Sequence, residues 1–277
     1  MTKLRFVIGF FIFTFHYNVS FADTYTFGIV PQQSATKLAQ LWSPLLSILS
    51  EQTGDTFLFS TAKDIPTFEK RLANSEYDFA YMNPYHFTVF NENPGYQALL
   101  KQKNKGIQGI IVVSKDSELN DIEQLKQFEH INIAFPSPAA FAASIILQAK
   151  LKQIGVNYQP VYVSSHDSVY LNIAQHHFIA GGGIVRTLKN TRSETFQQLK
   201  ILWSSPKYTP HAFAAHPNVP QSTMLLFQQI MLDMQSSEKG KKALMSINIP
   251  ELEIATNADW NDVRALNIDL LQHLVSP

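Results

Sequence analysis

The sequence predicts an α/β fold in two lobes with a cleft between them, on three observations. From Thr24 onward, short apolar runs of strand length alternate with amphipathic helical runs, the pattern of mostly parallel sheets covered by helices. The polar clusters PQQS, YMNPY, PSPAAF and SSHD each follow a strand-like run, at the carboxyl ends where such sheets hold ligands. Two stretches, near 105–112 and 203–210, carry the chain out of its first half and back. They divide it into a discontinuous lobe 1 of 23–108 with 206–277 and a lobe 2 of 109–205.

At the N-terminus, Lys3 and Arg5 precede the apolar run FVIGFFIFTF, and SFA stands before Asp23. Basic, apolar and small-residue regions in that order predict a cleavable signal peptide over 1–22 and a periplasmic protein. A membrane anchor needs about 20 apolar residues, and His16, Tyr17 and Asn18 interrupt this run too early. No cysteine follows to carry a lipid. The chain has 22 basic and 22 acidic residues, and loss of Lys3 and Arg5 leaves the mature form two charges negative. That balance lacks the basic excess of a nucleic-acid binder. Without disulfides, an apolar core must hold the fold, and 45% hydrophobic content suffices.

Each element has its own signal. YTFGIV (25–30) reads as a strand. Leu38, Leu41, Trp42, Leu45 and Ile48 then recur at helical spacing up to Gly54, a stop residue. TFLFST (56–61) is a strand, TFEKRLANSE (67–76) a helix and YDFAYM (77–82) a strand running into Asn83 and Pro84. YQALL (96–100) and GIIVVS (109–114) read as a strand pair about the turn KQKNKGIQ. In lobe 2, LNDIEQLK (119–126) is a helix, INIAF (131–135) a strand, AAFAASIILQAKLKQIG (139–155) a helix and PVYVSS (160–165) a strand. The helix DSVYLNIAQHH (167–177) opens on Asp167, a residue type suited to an N-cap. FIAGGGI (178–184) is a strand entering a glycine-rich bend, and LKILWSS (199–205) is a further strand. TPHAFAAHPNVP (209–220) returns to lobe 1 as a strand, and helices over 221–235 and 258–274 close the chain.

Five segments in register, FGIVPQQSATKLAQLWSPLLSIL, YDFAYMNPYHF, GIIVVSKDS, SSHDSVYLNIAQ and TPHAFAAHP, resemble the phosphate/phosphite/phosphonate-binding periplasmic components of ABC transporters. The resemblance spans nearly the whole mature chain. It implies a type II-like periplasmic-binding-protein fold whose lobes close over a small solute and present it to a permease, acting as a monomer with no cofactor and no metal. His166 and Asp167 match the family's His-acidic pair at a helix start, where the histidine contacts the anion, and Tyr81 matches its aromatic strand-end position. The family's Ser-Thr-Ser run is replaced by Ala139, Ala140 and Phe141, and an acidic residue before the small-residue bend by Ile179. Lost hydroxyl and carboxylate bonds are each worth about 1–3 kcal/mol at a buried site. The expected grip is therefore the helix-start amides with His166, among the aromatic surfaces of Tyr81, Tyr85 and Phe141. Gln32, Asn83, Ser137, Gly182 and His211 complete the candidate ligand residues.

Catalysis finds no support in motif: GxSxG, HExxH and a cysteine nucleophile are absent. AGGG (180–183) lacks the lysine and Ser/Thr of a phosphate loop. His211 and His216, five apart on a strand, face opposite ways and do not suit one metal. The alternative function is a periplasmic sensory protein that docks on a membrane kinase or cyclase and takes a non-phosphonate ligand.

Overall fold

The computed structural model describes residues 22–275. The expected leader, apart from Ala22, lies outside the described residues. In the first half, β1 (Thr24–Ile29) leads to α1 (Ala35–Thr53), β2 (Thr56–Ser60), α2 (Ile65–Ala73), β3 (Phe79–Met82), α3 (Pro84–Glu92) and β4 (Gln97–Gln102). The second lobe holds β5 (Gly109–Ser114), β6 (Ile131–Phe135), α4 (Ile146–Gln153), β7 (Tyr158–Tyr162), α5 (His166–Ala174), β8 (Ala180–Ile184), α6 (Val185–Asn190), α7 (Ser193–Gln197) and β9 (Leu199–Ser204). The chain then returns through β10 (Ala212–Ala215), α8 (Gln221–Asp233), α9 (Glu238–Ser246), β11 (Leu252–Ile254) and α10 (Asn261–Arg264).

Two sheets result, ordered β11-β4-β10-β3-β1-β2 and β7-β6-β8-β5-β9. Where helices intervene, neighbours run parallel, as in β2-β1-β3 and β7-β6-β8. The sheets are mixed, however, and not mostly parallel: β10 runs antiparallel to β3 and β4, and β5 to β8 and β9. Both reversed strands follow a crossing directly, and an antiparallel partner needs no helical crossover. The crossings themselves pair, with the Ile107 and Tyr208 amides each donating to the other's carbonyl at 2.8 and 3.0 Å. β4 and β5, expected as a pair, lie in different sheets because this crossing separates them.

The first sheet packs its aromatic strands against α1 and α8, with Phe27, Trp42, Phe79, Phe213 and Phe227 in mutual ring contact. Its apolar cluster continues across the cleft into Ala139–Ala143 and Ile184, so the lobes are in direct contact. The second sheet carries an apolar cluster on each face, around Ile111, Ile133 and Leu147 and around Val112, Val169 and Tyr170.

Three local expectations are corrected. The AGGG run is no bend but the strand β8, buried throughout. A Cβ on Gly181 would strike Val169, one on Gly182 the Ala143 carbonyl at 2.1 Å, and one on Gly183 the Tyr170 hydroxyl. Helices press on both faces, and only glycine admits them. The N-cap of α5 is Ser165, whose side chain accepts from the Ser168 amide, and Asp167 sits inside the first turn. The last predicted helix reduces to α10 with short 3₁₀ turns on either side.

Candidate functional site

The cleft is built where strands end. After β1 the chain turns at Val30, whose amide donates to the Tyr81 carbonyl, and delivers Gln32 to the interface. β3 ends beside it with Tyr81, and Asn83 caps α3 by accepting from the His86 amide at 2.8 Å. β10 is preceded by His211, whose ring stacks on Tyr81 at 5.0 Å and 17°. From the facing lobe come the helical segment after β6, the first turn of α5 and the start of α6.

After β6, the turn does not begin an ordinary α-helix. Phe141–Ile145 is a π-helical turn that runs on into α4, a distortion often found at functional sites. This turn lies on bare sheet: a Cβ at Gly109 would come within 2.1 Å of the Ala142 carbonyl, as one at Gly182 would to Ala143. Ala139, Ala140 and Phe141 are all buried. Ala139 offers its carbonyl to Asn83 Nδ2 at 3.3 Å, and Phe141 meets Tyr208 edge-on. Ser137 and Ser144 flank them with buried hydroxyls that make no hydrogen bond among the described residues.

His166 is buried at the start of α5. Its amide donates to the Gln32 carbonyl at 2.9 Å across the cleft, and its Nδ1 lies 3.0 Å from Thr187 Oγ1. Burial drives its pKa down to about 3, so the ring is neutral. Asp167 points elsewhere, accepting from Gln33 Nε2 at 3.1 Å. Desolvation raises its pKa against that bond.

At the centre stands Arg186, in the first turn of α6, which the sequence analysis passed over. Its Nη1 donates to Tyr81 OH, its Nη2 to Gln32 Oε1 at 2.6 Å and more weakly to His211 Nε2 at 3.5 Å. Its guanidinium also lies 5.1 Å from the Tyr81 ring centroid. Gln32 Nε2 meets the same His211 Nε2 at 2.9 Å. With two donors converging on it, that nitrogen accepts, and His211 is neutral. Desolvation and the Arg186 charge hold its pKa well below the usual value. Arg186 keeps part of its surface on adjoining cavities, yet is enclosed enough that burial lowers its pKa to about 10. It remains charged at neutral pH, and among the described residues no carboxylate pairs with it.

Of the predicted residues, Gln32, Tyr81, Asn83, Ala139, Ala140, Phe141, His166 and His211 are thus brought together. Gln32, Asn83, Ala140, Phe141, His166 and His211 line one interlobe cavity of about 10 Å³, space for about one water. Tyr85 is not there: it turns into lobe 1, where its hydroxyl accepts from the Leu271 amide and burial lifts its pKa to about 12. Gly182 is a packing glycine beneath the π-helical turn, and Ser137 is buried outside the cavity lining. Asp167 joins the lobes at the mouth of the cleft. Arg186 was legible by the rule that flagged the other clusters, since it is a polar residue directly after a strand. His211 and His216 do diverge, the latter standing edge-on to Tyr96 at 5.3 Å. Among the described residues no group of three or more metal-ligating side chains occurs, and no helix is long and apolar enough to cross a membrane.

Known proteins share both the sequence pattern and the architecture. The chain is 24% identical over 234 residues to the phosphate-import protein PhnD of Mycolicibacterium smegmatis, covering 76% of this chain and 72% of that one. A binding protein component of an ABC phosphonate transporter from Pseudomonas aeruginosa superposes with a TM-score of 0.80 at 16% identity, over 91% of this chain and 88% of the other. PhnD1 of Prochlorococcus marinus, solved with methylphosphonate, gives 0.79 at 17% identity, over 88% and 98%. The family described as "ABC transporter, phosphonate, periplasmic substrate-binding protein" matches residues 27–260, and the chain belongs to that family of substrate-binding transport proteins.

Proposed function

We propose that the protein, freed of its signal peptide in the periplasm, captures a small oxyanion of the phosphate/phosphite/phosphonate type and delivers it to an ABC permease. Capture is by closure of lobe 1 (23–108 with 206–277) on lobe 2 (109–205), which a ligand favours by bridging both. The protein acts as a monomer, binds no nucleic acid and catalyses no reaction.

One observation supports an anionic ligand above the rest: Arg186 holds a charge in the cleft against neutral partners only. A desolvated, uncompensated cation is costly. An oxyanion offers it the two-pronged partner that guanidinium geometry fits. Neutral His166, its Nε2 free of hydrogen bonds among the described residues, supplies a further polar edge beside the helix-start amides. The usual hydroxyl run, absent here, is thereby replaced by one stronger charge. The relatives that import phosphate or bind methylphosphonate support the same class.

Isothermal titration of the purified protein with phosphate, phosphite and methylphosphonate tests this reading. At least one should bind, and Arg186→Gln should weaken it by about 10- to 100-fold, the equivalent of about 1.5–3 kcal/mol for a charge-assisted bond. Binding unchanged in Arg186→Gln would remove the arginine from the site.

A further inference from the structure

Arg186 lines a cavity of about 210 Å³ at the crossing between the lobes, much larger than the interlobe cavity beside it. Its wall is made by both crossing segments, with Lys105 and Gly106 from one and Lys207 and Pro210 from the other, and it adjoins the interlobe cavity at Ile107, Ile184 and His211. Three cationic side chains, Lys105, Lys207 and Arg186, thus border one space, and no Asp or Glu lines it. Neither lysine makes an ion pair or hydrogen bond among the described residues. In a chain with equal numbers of acidic and basic residues, this local imbalance is not a reflection of composition. The volume suits a small organic anion, whereas the interlobe cavity holds little more than a water.

Building on the anion-capture reading above, we propose that the ligand carries two anionic groups on a short chain, of which a phosphonocarboxylate is the type. Arg186 holds one group where it borders the crossing cavity. The chain of the ligand runs along Ile107 and Ile184 in that cavity, and the second group lies between Lys105 and Lys207. A cationic tail is repelled there, because the cavity offers it three positive charges and no carboxylate. A ligand that ties both crossing segments to α6 also contacts both lobes at the point about which they turn.

Titration of the purified protein with three phosphonates built on the same two-carbon unit reads this directly. The order expected is 3-phosphonopropionate, then ethylphosphonate weaker by tenfold or more, then 2-aminoethylphosphonate weakest. Raising the ionic strength should narrow the gap between the first two, since exposed lysines are screened. The double substitution Lys105→Gln/Lys207→Gln should collapse it, and thermal unfolding without ligand should show that this variant folds as the parent does. Ethylphosphonate binding as tightly as 3-phosphonopropionate, or a gap that survives the double substitution, overturns the two-charge proposal and leaves anion capture standing. Failure of all three to bind while phosphate binds also overturns it. Failure of every anion overturns the anion-capture reading on which it rests.

Discussion

At the residue scale, the site is a set of groups whose charge states are fixed by burial. His166 and His211 are neutral in the fold because desolvation opposes the imidazolium, while Arg186 is too basic for burial to discharge it. This has a consequence for stability. A histidine titrating near 6.5 when unfolded and near 3 when folded takes up more protons in the unfolded chain between those values. Stability from His166 is therefore complete above pH 6.5 and is lost as pH falls toward 3, at about 1.4 kcal/mol per pH unit. Between pH 7.5 and 5.0, urea unfolding should show the parent losing about 2 kcal/mol more than His166→Gln does. An equal loss in the two proteins would mean that His166 is protonated in the folded state.

At the scale of elements, the cleft depends on how closely helices approach the second sheet. The π-helical turn Phe141–Ile145 lies on Gly109 and Gly182, and α5 lies on Gly181 and Gly183. Gly182→Ala puts a methyl group within 2.1 Å of a backbone carbonyl, which cannot swing aside as a side chain would. Overpacking of this kind costs about 1–3 kcal/mol or more. The variant should lower the denaturation midpoint and, by lifting the turn, also weaken ligand binding. A midpoint equal to the parent's would show that the turn moves freely. Strand and helix positions in this region were readable from hydrophobic period and from the stop signal at Gly155. The π-helical form and the glycine strand were not, because both depend on what lies across the sheet, and a run of three glycines looks locally like a bend.

At the scale of the whole molecule, the bonds of Arg186 to Gln32, Tyr81 and His211 are joined by other polar links between the lobes: the Gln32 carbonyl with the His166 amide, Asn83 with the Ala139 carbonyl, Gln33 with Asp167 and with the Asn190 carbonyl, and Asn190 with Asn248. Apparent affinity scales with the fraction of molecules in the binding-competent state, so links remote from the ligand tune binding without touching it. Asp167→Ala removes the Gln33 bond at the cleft mouth. It should weaken every ligand by a common factor of about 3- to 10-fold, from about 0.5–1.5 kcal/mol, with the ligand ranking intact. A change in ranking would make Asp167 a ligand contact after all. In contrast, Arg186→Gln should change both affinity and ranking.

The sequence by itself determined the two-lobe α/β plan, the strand ends that border the cleft, the family, and most of the residues that face the cleft, including Gln32, Tyr81, Asn83, His166 and His211. Those follow from period, from turn chemistry and from motifs in register, all of which are local. Only the tertiary structure decided that Tyr85 turns into lobe 1, that Asp167 links the lobes, and that Arg186 stands in the cleft with neutral partners. Its guanidinium draws its meaning from Gln32, Tyr81 and His211, residues 154, 105 and 25 positions away along the chain. The balance of charge and burial at such a point is set by distances that no single stretch of sequence contains.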